Sequence, residues 1–179
     1  MDNWILLSYD PSIVSGHCAL AVFNVTKFGD PYKMLKTVSV WKDSITAGSD
    51  RHGSARAKSI LLWTQDIIKE YGSNAIVLTE QLVNMPTYRS NIDYRKIQMI
   101  IRANCAIIDA AHIAGISVIE VNPADYKMPK SERFVTVNLF VDWNSLNIYP
   151  TEHIVDAIYR GAMFIINQRL QNISNLTSH

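Results

Sequence analysis

Four side chains in this sequence are of types, and in places, that could do acid or metal chemistry together: Asp10, Glu80, His153 and Asp156. Asp10 ends the apolar run WILLSY, and Glu80 ends the run NAIVLT. A carboxylate at the end of a buried strand loses hydration, a cost offset only by a hydrogen-bond donor, a cation or protonation. His153 and Asp156 stand three positions apart in TEHIVDAIYRGAMF, which puts them on one side of a helix. Each has an ordinary explanation. Asp10-Pro11-Ser12 is turn chemistry, Glu80 could face solvent, His153 is a polar residue near a helix start, and an acid such as Asp156 in a first turn suits the helix dipole. Taken jointly they point elsewhere, because carboxylates crowded at low dielectric raise one another's pKa unless a cation sits among them. Hard oxygen donors favour Mg²⁺ or Mn²⁺, and the histidine suits Mn²⁺ or a base that takes a proton from water.

These residues meet only if the elements beneath them are neighbours. Residues 4–10 and 17–25 are short, apolar and rich in β-branched and aromatic side chains, with a Pro-Ser-Ile-Val-Ser-Gly turn between, and predict an antiparallel hairpin. A third strand is expected over 33–42. The spacing of Ile60, Leu61, Trp63, Ile67, Ile68 and Tyr71 predicts a helix that stops at Gly72. NAIVLTEQ at 74–81 reads as a strand covered on both faces. A long helix over 91–114 closed by Gly115 follows, then a strand at 116–123, a helix at 131–141 and a final helix capped by Thr151. This order predicts one α/β domain over 1–172, a mixed sheet with helices on both faces, and a frayed tail at 173–179. In it Asp10 and Glu80 end adjacent strands. Ile154, Ala157, Ile158 and Phe164 must pack on the sheet, which tilts His153 and Asp156 toward the strand ends.

The chain has 179 residues and 48% hydrophobic content, enough for one sizeable core. Its 17 basic and 16 acidic residues leave a formal charge of +1, so there is no global basic excess of the kind many nucleic-acid binders carry. Cys18 and Cys105 show no metal spacing and are expected to be reduced, buried and inert. The N-terminus MDNWILLSYD carries an acid where a secretory signal has positive charge, so an intracellular, cytoplasmic protein without a membrane anchor is expected.

LLSYDPSIVSGHCALAV resembles the first motif of the RuvC family of Holliday-junction resolvases, in the RNase H-like superfamily. IVLTEQLV resembles the second motif, an apolar strand ending in Glu-Gln, and HIVDAIYRGAMFI the last, a helix with His-x-x-Asp-Ala. ISVIEVNPADYK resembles the strand that leads into the family's Pro-x-x-Val-Lys segment. The matches run in register from residue 5 to about 166. Ser12 stands where the family has Gly, and the loop after Lys127 is shorter than the bacterial one, as a compact phage enzyme would suit. The resemblance implies an RNase H-like fold with a five-stranded mixed sheet, an antiparallel meander plus parallel strands, flanked by helices. It also implies a crossover junction endodeoxyribonuclease in which Asp10, Glu80, His153 and Asp156 hold two Mg²⁺ or Mn²⁺ ions for phosphodiester hydrolysis.

Local charge fits a branched-DNA partner. Arg89, Arg95, Lys96 and Arg102 face a single acid, Asp93, across residues 86–102, with Tyr88 and Tyr94 interleaved. Cations for phosphates and aromatics for unpaired bases are the usual combination for opened DNA. Lys127, Lys130 and Arg133 form a second basic patch. Both are also compatible with solvated surface. The helix from Asn91 carries more apolar positions than one stripe needs, as a homodimer would. An RNase H-like nuclease acting on flaps, other branched DNA or RNA stays open, as does a non-catalytic nucleic-acid-binding module. An actin-like phosphotransferase is excluded by length and by the lack of glycine-rich phosphate loops.

Overall fold

The computed structural model of the chain describes residues 3–11, 17–42, 53–81, 94–122, 126 and 128–177, with side chains for all of these except Arg95 and 171–177. Strands β1 (Asn3–Asp10), β2 (His17–Thr26) and β3 (Leu35–Lys42) form the expected antiparallel meander. β4 (Ala75–Glu80) pairs parallel with β1, and β5 (Ser117–Val121) parallel with β4, so the sheet order is β3-β2-β1-β4-β5. The parallel pairs arise where a helix lies between successive strands, α1 (Ser54–Tyr71) before β4 and α2 (Tyr94–Ile113) before β5. α3 (Lys130–Phe140), the short α4 (Trp143–Leu146) and α5 (Glu152–Thr177) follow. Among the described residues no helix is long and apolar enough to cross a membrane.

The strand period of two sorts the core into layers. Leu7 and Tyr9 of β1 join Leu20, Val22 and Val77 under α1 and α2. Leu6, with Ala21, Phe23 and Leu78, lies under α5, whose Ile154, Ala157, Ile158, Phe164 and Ile165 are buried against it as the sequence requires. Asp10 and Glu80 have the parity of Leu6 and Leu78, and therefore emerge on the α5 side.

The structure departs from expectation at a few places. β3 starts later than residue 33 because Pro31–Met34 forms a 3-10 turn, with Asp30 accepting a hydrogen bond from the Tyr32 amide at 3.0 Å. The short α4 was not anticipated; Asp142 caps it by accepting from the Asn144 and Ser145 amides. α5 runs on to Thr177, into the stretch read as a tail. Cys18 is buried, but Cys105 is exposed, contrary to expectation. It shares an outer stripe of α2 with Ile101, while Ala103, Ala106, Ile107 and Ala110 take the face against the sheet. The turn at 12–16, with Ser12, lies outside the described residues.

Candidate active site

The site is built where β1 and β4 end and α5 begins. Ser8 pairs with Leu78 in the parallel register, so Asp10 and Glu80, each two residues further on, come side by side. The end of β4 is held from behind: the fully buried Asn104 of α2 donates from Nδ2 to the Glu80 carbonyl at 3.0 Å and pairs with the Thr79 hydroxyl. On the other side the Thr151 hydroxyl accepts from the Ile154 amide at 3.4 Å, opening α5 as expected. Ser8 donates to the Ala157 carbonyl at 2.7 Å, which ties the helix directly to β1.

The lack of a side chain at Gly161 sets how closely α5 lies on the sheet. A Cβ there would collide with the ring of Phe23 and press on Ser8. The close approach brings the first two turns of α5 over the strand ends. His153 Nδ1 lies 2.7 Å from Asp10 Oδ2, and this hydrogen bond is the main reason that the imidazole pKa is raised above its usual 6.5.

The residue that sequence reasoning missed is Arg160. It is 5% exposed, and its Nη1 donates to the Tyr9 carbonyl. Its Nη2 pairs with Glu80 Oε1 and lies 3.4 Å from Asp10 Oδ1. Asp10 is thus bracketed, with the imidazole on one oxygen and the guanidinium on the other. A signal for Arg160 was present in the sequence: it follows Asp156 by four positions and His153 by seven, and it interrupts the otherwise apolar IVDAIYRGAMFII.

Asp156 faces the same region but turns its carboxylate to Arg133 of α3, with Arg133 Nη1 2.8 Å from its Oδ1. Its pKa is raised from 3.8 to about 6, first by burial and then by the charge of Asp10, although Arg133 and Arg160 pull it back. Glu80, Asp156, Arg133 and Arg160, with Tyr126, Met128 and Tyr159, line a cleft of about 270 Å³. Among the described residues no three His, Cys, Asp or Glu side chains close into one metal cage, because guanidinium groups stand between the acids.

The expected DNA-contacting residues are placed less uniformly. Tyr94 is exposed at the start of α2, and Lys96 is exposed two residues on. Lys130 pairs with Glu152 and Arg133 with Asp156, so both belong to the α3–α5 contact beside the cleft. Tyr88, Arg89 and Lys127 lie outside the described residues, as does the side chain of Arg95.

No family model matches the chain, and no curated protein matches it. Solved structures do. The chain is similar to RuvC of Thermus thermophilus, with a TM-score of 0.63 at 22% identity over 93% of this chain and 96% of that one. It is also similar to T. thermophilus RuvC in complex with a Holliday junction substrate, with a TM-score of 0.65 at 19% identity over 94% and 96% of the two chains. At these identities the likeness establishes the fold: the five-stranded mixed sheet flanked by helices is RNase H-like.

Proposed function

We propose that the chain is a metal-dependent, structure-selective endodeoxyribonuclease that resolves four-way DNA junctions by phosphodiester hydrolysis. The observation that carries this is the meeting of Asp10, Glu80 and His153 at one edge of the sheet, in a fold whose solved relatives include a RuvC bound to a Holliday junction. The donor chemistry fits a hard cation. Asp10 and Glu80 already converge on a positive group, and Asp156, whose pKa is raised first by burial and then by the charge of Asp10, lines the cleft with Glu80. A bound Mg²⁺ or Mn²⁺ supplies phosphoryl polarisation and acidifies water.

The chain's own residues do the rest. Asp10, on a strand buried on both faces, fixes the point to which the other groups refer, and Asp156 and Glu80 add the carboxylates. His153, made more basic by Asp10 at Nδ1, can hold a proton taken from the attacking water. Arg133 Nε is buried with no hydrogen-bond partner among the described residues, a spare donor beside the cleft for a phosphate oxygen. Tyr94, Lys96 and Lys130, with Tyr88, Arg89, Arg95 and Lys127, are proposed to contact DNA beyond the cleft. Ile101 and Ile113, exposed on α2, support a homodimer, which would present paired sites to a symmetric junction. Sedimentation of the DNA-free protein checks that.

The direct test is a synthetic four-way junction with Mg²⁺ or Mn²⁺. Paired nicks are expected, lost on chelation and in Asp10→Asn. No cleavage by the wild type, or unchanged cleavage by the variant, would sink the proposal. The engagement of Lys130 and Arg133 with acids favours keeping a second reading, an RNase H-like nuclease for flaps or RNA-containing substrates. Competition among junction, flap, duplex and RNA–DNA hybrid separates the two.

A further inference from the structure

We infer that Arg160 is a built-in cation of the acid cluster, standing between Asp10 and Glu80 where a second metal ion would otherwise sit, so that each site takes one divalent ion. The inference deepens the metal-dependent reading above and rests on it.

Three observations carry it. The first is the division of Asp10: Oδ1 faces Arg160, which also holds Glu80, whereas Oδ2 faces His153. The cluster therefore has two sides, and one already holds a positive charge. The second is how Arg160 is fixed. Its Nη1 is spent on the Tyr9 backbone carbonyl, an acceptor whose place is set by β1 and is independent of any ion. The neighbouring Gly161 lets α5 lie close on Phe23 and Ser8, and the Ser8 hydroxyl ties the Ala157 carbonyl to β1, so the helix that carries Arg160 is docked independently of any ion. Displacing Arg160 by a metal ion would strand a guanidinium that is 5% exposed, and an unpaired buried charge is strongly disfavoured.

The third observation is the charge balance. Asp10, Glu80 and Asp156 bring three negative charges, and Arg133 and Arg160 bring two positive ones. One divalent ion takes the cluster just past neutrality; two would leave it strongly positive before DNA arrives. The side left for the ion is the one where Asp10 Oδ2 faces His153, away from the guanidinium of Arg160. Arg160 is then a positioning residue, acting through the spacing of Asp10 and Glu80.

The test counts ions on DNA-free protein by Mn²⁺ electron paramagnetic resonance, in which bound Mn²⁺ disappears from the signal of the free ion. Wild type and Arg160→Lys are expected to bind one Mn²⁺ per chain, and Arg160→Gln two. The added ion should vanish when Glu80→Gln is combined with Arg160→Gln. Arg160→Gln should also melt lower than wild type in EDTA and recover with Mn²⁺. Should Arg160→Gln fail to fold, the wild type and Arg160→Lys still decide it, since each keeps a cation between Asp10 and Glu80 and should bind one Mn²⁺ per chain. Two ions in the wild type or in Arg160→Lys, or the same count in folded Arg160→Gln as in the wild type, would overturn the role of Arg160 while leaving metal dependence intact. No Mn²⁺ bound by any variant would overturn both.

Discussion

Arg160 and Arg169 stand nine residues apart on α5, and both reach to backbone carbonyls at the sheet, yet they belong to different kinds of chemistry. Arg169 donates from Nη2 to the Thr26 carbonyl at 2.9 Å and from Nη1 to that of Gly29. Its surroundings are apolar: Trp4 and Phe164 meet edge to face at 6.5 Å beside a cavity of about 440 Å³ that Arg169 helps to line. No carboxylate pairs with it among the described residues. Arg160 makes the same kind of bond to Tyr9 and then adds Glu80 and Asp10. The difference shows that an arginine bonded to neutral carbonyls fastens a helix, and becomes part of a charged cluster only where strand ends supply acids. One helix is docked by an arginine at two places, and among the described residues only Arg160 is met by acids.

The sharpest way to break this contrast is to measure cleavage. Asp10→Asn should lower junction cleavage by about 10³-fold, the scale of removing a group that organises transition-state charge. Arg169→Ala should leave it within about threefold of wild type, since its partners are the Thr26 and Gly29 carbonyls and the Met34 sulfur. Equal losses in the two variants would mean that helix docking, and not the acid cluster, is what cleavage depends on.

Next in size is the hinge between the two ends. Gly161→Ala places a methyl group against Phe23 and Ser8, and overpacking of this kind should cost about 2 kcal/mol and lower Tm by roughly 4–8 °C. Calorimetry of the variant checks it. An unchanged Tm would show that α5 can lift from the sheet, removing the reason given for the fixed position of Arg160.

The two ends also differ in how legible they were. The acids could be read because a carboxylate closing an apolar run is conspicuous, and because strand order follows from a hairpin followed by helix crossovers. Asp10 and Glu80 did end adjacent strands, and His153 did reach Asp10. Asp156 lies beside the cluster, and its pairing with Arg133 was not legible, since sequence spacing cannot show that α3 packs alongside α5. Arg160 and Arg169 passed unnoticed for one physical reason: a cation inside an apolar helix reads as a surface residue until the strand end beneath it is located. Asn104 was hidden in the same way, a polar residue whose partners, Thr79 and Glu80, lie on another element. The exposure of Cys105 needed the rotation of α2, which a broad apolar stripe does not define.

At the fastening end, Arg169→Ala should cost about 1.5 kcal/mol in urea unfolding, the value of charge-assisted bonds to carbonyls discounted for a half-exposed side chain. The loss should be independent of divalent metal. A loss that Mn²⁺ abolished would tie Arg169 to the site and erase the distinction between the two ends.

The smallest effect has the opposite sign and belongs to the charged end. The pKa of Asp156 is raised in the folded chain from 3.8 to about 6, chiefly by burial and by Asp10. Between those values the folded state holds a proton that the unfolded state has released, so stability falls as pH climbs from about 4 to about 6 and is level beyond. Asparagine does not titrate. Asp156→Asn should therefore match wild type near pH 4 and exceed it at pH 7, where the shift alone would give about 3 kcal/mol. The shift already includes the pull of Arg133, and the cleft is open to water, which screens it, so a net gain of about 1 kcal/mol is expected. Urea unfolding in EDTA across that range checks it. A variant less stable than wild type at pH 7 would show that the Arg133 pair outweighs the repulsion from Asp10. A gain, together with loss of cleavage, would show that the acid is retained at the cost of stability, as a site that awaits a cation requires.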